Sequence, residues 1–362
     1  MHSSTSNFER VIPALPWRGV TLAVLLIVSV AATAWELHCR ALGYRPTLND
    51  TDDLWAQSRR RVQPASFVII GDSRALFDLD LDEIERGLGS RPVQLGIVGS
   101  SPYPVLVDLA DDEHFYGTVI ASVVPKMFFA VGGPHIENSN RALKRYHRQT
   151  LAQRASQNLG MLLEEHIAFL KQEDLTLNQL LMMVPIPNRP AAMVPPSLPP
   201  YFQSTDRDRR ARMIESCAQP GELQTRIQQT WLRLFSLPPP PSYIPPDVFK
   251  QRMQSGTEAR FNETKIAVDK IRARGGSVVF IRFPHSGQLK ALEDRMYPRA
   301  QFWDRLLRET SAPGICYADY PELASFTCPE WSHLSAGDSV EFTRRLVPRL
   351  RAALPTPHLA RK

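Results

Sequence analysis

The sequence predicts an α/β fold: a parallel sheet with helices on both faces. Short apolar runs bounded by Pro or Gly recur along the chain, and polar, helix-like stretches separate them. The runs are apolar throughout rather than alternating, as strands covered on both faces must be. The chain has 362 residues, 43% hydrophobic and 22% charged, which is ordinary globular composition with room for two average domains or for one large α/β domain with insertions. Its 31 Pro argue against a simple helical bundle. The net charge of +6 is spread along the chain and reads as solvated surface, so no nucleic acid is expected as a partner.

The first element is the uncharged run Gly19 to Trp35, 17 residues between Arg18 and Glu36. As a helix it reaches about 26 Å, enough for a bilayer core. Trp17 and Trp35 stand where interfacial aromatics would stand, and Arg10 and Arg18 favour a cytoplasmic stretch 1–18. The expectation is an anchor over 19–35 in a single-pass protein whose C-terminal domain is periplasmic or extracellular, with the inner membrane as its support. Two readings remain open. Ala32-Thr33-Ala34 also fits a signal-peptidase site, and the run would also serve as a buried helix. The mean hydropathy of −0.24 excludes a polytopic membrane protein.

Residues 36–64 read as a polar connector ending in Arg59-Arg60-Arg61. Strands are expected at Phe67–Ile70, Val93–Val98, Thr118–Val124, Ser277–Phe283 and Ile315–Tyr317, with a helix over Val105–Ala110. The α/β domain thus occupies 65–139 and 257–355. Between them, 140–256 breaks the rhythm as a helical and Pro-rich insertion that wraps or caps the sheet. It holds one or two helices over Ala142–Leu181 and Pro-rich stretches at Pro185–Pro200 and Pro238–Pro246. A helix over Glu258–Arg274 ends at Gly275-Gly276. The last helix starts near Ser335, with the capping pattern Ser335-Ala336-Gly337-Asp338 and a bend expected at Pro348. Cys39, Cys217, Cys316 and Cys328 have no zinc-site spacing; a Cys316–Cys328 disulfide and four free thiols are both open. No P-loop and no nucleotide-binding glycine motif is present, so neither cofactor nor metal is expected.

The sharpest chemical feature is Gly71-Asp72-Ser73-Arg74, directly after the first strand. A Ser at a strand-to-helix turn stands at the carboxyl edge of a sheet, where backbone N–H groups and the helix dipole can stabilise an oxyanion. A Ser hydroxyl needs a base. His333 is singled out by Glu330-Trp331-Ser332-His333 before the last helix. A carboxylate three residues before an imidazole can hold Nδ1–H and leave Nε2 free for the Ser proton.

This pair of motifs, in this order and setting, resembles the SGNH (GDSL-like) hydrolase superfamily. The resemblance covers about 66–135 and 275–352. It implies a three-layer α/β/α, flavodoxin-like domain and a Ser73 nucleophile with His333 as base. Glu330 stands where the family usually has Asp. The Ser73 N–H and the N–H of Gly99, in Gln94-Leu95-Gly96-Ile97-Val98-Gly99, would form the oxyanion hole. The family's third block, Gly-x-Asn-Asp, is absent; Pro125-Lys126-Met127-Phe128 follows the third strand, leaving Asn138 or Asn140 to substitute. With its anchor, the chain resembles the extracytoplasmic branch of polysaccharide O-acetylation and D-alanyl transfer proteins. That branch implies a Ser-His(-Glu) esterase or O-acyltransferase acting on an acylated glycan or cell-envelope polymer, or taking an acyl donor, beside a membrane-bound O-acyltransferase. A non-catalytic scaffold binding the glycan or that enzyme is the alternative. Arg74 (as an anion contact or the partner of an acid), Asn138 and His285 complete the candidate residues, with His135 and the acidic turn Asp50, Asp52 and Asp53 as weaker ones.

Overall fold

A computed structural model describes residues 16–171, 175, 181, 201–236 and 243–354. Five strands form one parallel sheet: β1 (Phe67–Ile70), β2 (Val93–Gln94), β3 (Thr118–Ser122), β6 (Ser277–Arg282) and β7 (Gly314–Cys316). Their order is β2-β1-β3-β6-β7. The ladder pairs Val68 with Val93, Ile70 with Ala121, Ala121 with Phe280, and Arg282 with Cys316. All of β1 and β3 is buried, which explains why these runs are unbroken by polar alternation. β2 is shorter than the sequence suggests, yet Leu95 and Ile97 still donate N–H groups to Ile69 O (2.7 Å) and Gly71 O (2.9 Å). A separate antiparallel pair, β4 (Gln203–Thr205) and β5 (Ala211–Met213), belongs to the insertion.

The longer helices are α1 (Trp17–Ala41), α2 (Asp52–Arg60), α3 (Ser73–Phe77), α4 (Leu81–Leu88), α5 (Tyr103–Asp111), α6 (Pro134–Arg148) and α7 (Leu151–Glu164). They continue with α8 (Glu222–Phe235), α9 (Pro246–Ala273), α10 (Gly287–Met296), α11 (Arg299–Thr310) and α12 (Ala336–Ala353). α9 packs against α5 and α11, whereas α12 packs against α4. Ser335 caps α12 by accepting the Asp338 N–H (3.1 Å), and Pro348 lies inside that helix.

Several boundaries differ from expectation. α1 has 25 residues and runs past Trp35 to Ala41; it is long and apolar enough to span a membrane, and none of its most apolar 18-residue window is buried. The 36–64 segment is not a bare connector: it contains α2, whose buried Trp55 donates its indole N–H to Leu95 O (2.9 Å). α6 begins at Pro134 and α9 at Pro246, so helices straddle both ends of the 140–256 insertion. α9 begins earlier than Glu258 and passes through Gly256, where an added Cβ would sit 2.2 Å from Val131 Cγ1, so the glycine admits a close neighbour. The Pro185–Pro200 stretch and the first four prolines of 238–246 lie outside the described residues. All four cysteines are buried free thiols, so the Cys316–Cys328 bridge is not formed.

Candidate functional site

The site sits where the sheet changes direction. From β1 the chain steps outward to β2, then returns to place β3 on the other side of β1. Such switch points open a crevice at the carboxyl ends of the strands. Gly71 leaves β1 against β3: an added Cβ would lie 2.5 Å from Ser122 Cβ and 2.8 Å from Ala75 Cβ, so only glycine fits the approach. Asp72 caps α3, accepting the Arg74 N–H (2.8 Å) and the Ser122 hydroxyl (3.0 Å). Burial pushes the Asp72 carboxyl above its usual range, against the pull of Arg74. Ser73 is thereby fixed as the first residue of α3.

Ser73 Oγ lies 2.8 Å from His333 Nε2, and His333 Nδ1 lies 2.7 Å from Glu330 Oε1. Ser73 is 9% exposed; His333 and Glu330 are fully buried. The longer Glu arm does not misplace the carboxylate. Oε1 also accepts the His333 backbone N–H (2.7 Å), and Oε2 accepts the Ser332 N–H (3.3 Å) and the indole N–H of Trp231. Four N–H donors, two on each oxygen, hold it. The loop itself is pinned: Trp331, at φ +78°, donates its N–H to Cys328 O (3.0 Å) and accepts the Ser286 N–H (2.9 Å), and Leu334 donates to Asp78 Oδ1 (2.8 Å).

The insertion roofs this arrangement. Trp231 on α8 meets the His333 ring edge-on at 5.7 Å, Phe77 of α3 stacks on it at 4.3 Å, and Phe202 lies 6.2 Å away. Leu76, Phe77, Met213, Ile227, Trp231 and Leu289 belong to a second core between the insertion and the α3 and α10 side of the sheet. Sequence reasoning missed Trp231, Ser122 and Asp78. None lies in a recognisable motif; Ser122 is marked only by its place at the end of a strand that pairs with β1.

The other candidates lie as follows. Gly99 (φ +63°) is in the turn after β2, the same segment whose Ile97 bonds Gly71; its carbonyl accepts from His135 Nδ1 (2.6 Å). Among the described residues no acceptor takes the Ser73 or Gly99 N–H. Arg74 is buried and paired with Glu293 through both its terminal nitrogens. Burial opposes both charges, but their mutual attraction holds Glu293 below the usual carboxylate range and Arg74 above its own. Asn138, on α6, accepts from Arg141 (2.8 Å) and lines a shallow hollow with Asp50, Trp55, Ile97 and Arg209; Asn140 is exposed. Neither is bonded to the dyad. His285 is buried against Tyr317, its Nδ1 3.3 Å from Phe283 O. Asp50, Asp52 and Asp53 each pair with an arginine: Arg209, Arg141 and Arg145.

The described chain is thus an α/β protein with a parallel five-stranded sheet and one N-terminal helix long and apolar enough to cross a membrane. No protein-family model and no curated protein matches it.

Proposed function

We propose that this chain is a membrane-anchored SGNH-like serine esterase or O-acyltransferase, acting outside the cytoplasm on an acylated glycan or cell-envelope polymer. The observation that carries the reading is the hydrogen-bonded series Ser73–His333–Glu330, at 2.8 and 2.7 Å, assembled across 260 positions of sequence. Strand order supports it: counting only the strands of the large sheet, it runs 2-1-3-4-5, the flavodoxin-like order. In the reaction, Ser73 Oγ attacks the acyl carbonyl while His333 Nε2 takes its proton. Glu330 holds the imidazole in the Nδ1–H tautomer and stabilises the imidazolium. The uncommitted N–H groups of Ser73 and Gly99 are the donors for the oxyanion. The protonated His333 then gives its proton to the departing alkoxide. Water or a sugar hydroxyl, deprotonated by the same imidazole, releases the acyl group from Ser73.

α1 fixes the domain to the membrane, N-terminus inward, beside the membrane-bound O-acyltransferase expected as its partner. The hydrogen-bond reach between Ser73 and His333 favours catalysis over the scaffold reading. The test is labelling of the full-length protein with a fluorophosphonate, together with turnover of p-nitrophenyl acetate. Wild type is expected to do both and Ser73→Ala neither; equal labelling and turnover by the two would overturn the proposal.

A further inference from the structure

The second helix of the insertion is built the wrong way round for a soluble protein. On α7, Leu151, Ala155, Leu159, Leu162 and Leu163 fall within an arc of about 120° at 100° per residue. That arc faces outward: Leu151 is 79% exposed, Leu159 65%, and Leu162 and Leu163 54% each. The opposite face, polar but for Met161, which packs with Leu48 and Leu54, is turned to the protein. There Glu164 is buried and accepts the Asn49 N–H (2.9 Å), and Gln157 meets Thr51 (3.4 Å). α7 starts behind a full capping box, Thr150 with Gln153, so it is a locally specified helix rather than a loose end. Four exposed leucines on one face form a patch of the kind that marks an interaction surface.

The end of α7 shows what covers that patch. The chain leaves α7 and within four residues reaches a single helical turn, Ala168–Leu170, that is fastened to α1. Glu36 accepts the Ala168 and Phe169 N–H groups (3.0 and 3.1 Å), and Arg40 donates to His166 O (3.0 Å). Glu36 is the first charged residue after the uncharged Gly19–Trp35 run. The apolar face of α7 is therefore tethered at the level where α1 would emerge from a bilayer. Exposed Arg148 and Arg154 stand at its start, as cations beside anionic headgroups would. We infer that α7 is an interfacial helix whose leucine face lies in the outer surface of the same bilayer that α1 crosses, fixing the domain's orientation on the membrane. This rests on α1 as a membrane span and not on the chemistry at Ser73.

The experiment uses the full-length protein in phosphatidylethanolamine–phosphatidylglycerol vesicles. An environment-sensitive fluorophore is attached singly at Leu159→Cys, Leu162→Cys, Leu26→Cys on α1, or Arg308→Cys, exposed on α11. The native thiols are buried, so the introduced one takes the label. An interfacial helix sits about 5–10 Å into the headgroup and acyl boundary. Labels at 159 and 162 are expected to be quenched roughly twofold or more by lipids brominated high on the acyl chain. Leu26 should be quenched by deep bromines and Arg308 by neither. If Leu26 reports lipid while 159 and 162 report water, the inference is overturned and the anchor stands. Labels at 159 and 162 that are shielded yet unquenched would mean protein covers the face, which also overturns it. Water at Leu26 removes the anchor and the inference together.

Discussion

Replacing Glu330 by Gln tests the base with almost no change in shape, and the hydrogen bonding fixes what must happen. Each carboxylate oxygen faces two N–H donors: Oε1 faces the His333 Nδ1–H and backbone N–H, and Oε2 faces Ser332 and Trp231. A Gln has one carbonyl and one NH2, so its NH2 must point at two donors whichever way it is placed. With the carbonyl toward His333, the tautomer survives, but the amide collides with Trp231 and the imidazolium loses its counter-charge. With the amide toward His333, Nδ1 becomes an acceptor, Nε2 carries the proton, and Ser73 has no base. The first placement loses two charge-assisted bonds and the second loses one and reverses another, at about 1.5–3 kcal/mol for each bond lost, so a stability loss of at least about 1.5 kcal/mol is expected. The corresponding Asp→Asn exchange in Ser–His–Asp enzymes lowers kcat about 10⁴-fold. A drop of about 10³–10⁴ is therefore expected here in fluorophosphonate labelling rate and in p-nitrophenyl ester turnover. Adding Trp231→Phe removes one of the opposed donors; the double variant should melt above Glu330→Gln alone and regain part of its rate. A Glu330→Gln protein that labels within about tenfold of wild type would refute the role of Glu330.

Three further outcomes follow from buried groups around the site. Asp78 is fully enclosed; burial raises its carboxyl well above the usual range, and among the described residues its Oδ2 lacks a partner. Its protonation favours the fold, so its contribution is complete below the unfolded carboxylate range and is lost as pH rises through the folded pKa. Asp78→Asn should therefore raise the melting temperature at pH 7 and leave it unchanged near pH 3, with about 1.4 kcal/mol gained per pH unit crossed; an equal effect at both pH values would contradict this. Removing one member of the Arg74–Glu293 pair, as in Glu293→Gln, should cost about 3–5 kcal/mol in denaturant unfolding, whereas Arg74→Met with Glu293→Leu should recover most of it. Burial pushes the Cys217 thiol up to about 12 and Cys328 well above its usual range. Neither thiol should react with Ellman's reagent until the protein is unfolded.

What the sequence disclosed was local. β1 is four apolar residues in a row, and the turn, the cap and the nucleophile follow it without a gap, so that one stretch shows the strand end, Asp72 and Ser73 together. Glu330 and His333 are likewise three residues apart. What stayed hidden depends on distance. Trp231 meets Glu330 across 99 positions, and by its own pattern it is only an apolar residue on an insertion helix. Trp55 hides in a segment whose Asp and Arg residues dominate its composition. The early start of α9 was concealed because the Pro238–Pro246 run reads as extended backbone, although Pro246 begins the helix. Arg74 pairs with an acid, one of the two readings its sequence offered, but that the acid is Glu293, 219 positions away, no local pattern could name.

The indole that reaches the Glu330 carboxylate comes from neither half of the sheet. Cutting out 201–236 to obtain a minimal domain would leave all five strands of the large sheet in place while stripping one of the four clasps from the carboxylate and laying the imidazole open to water. Such a trimmed version would keep its shape and fail as a reagent. Anyone grafting the serine turn and the histidine loop onto another scaffold has to carry the aromatic roof with them.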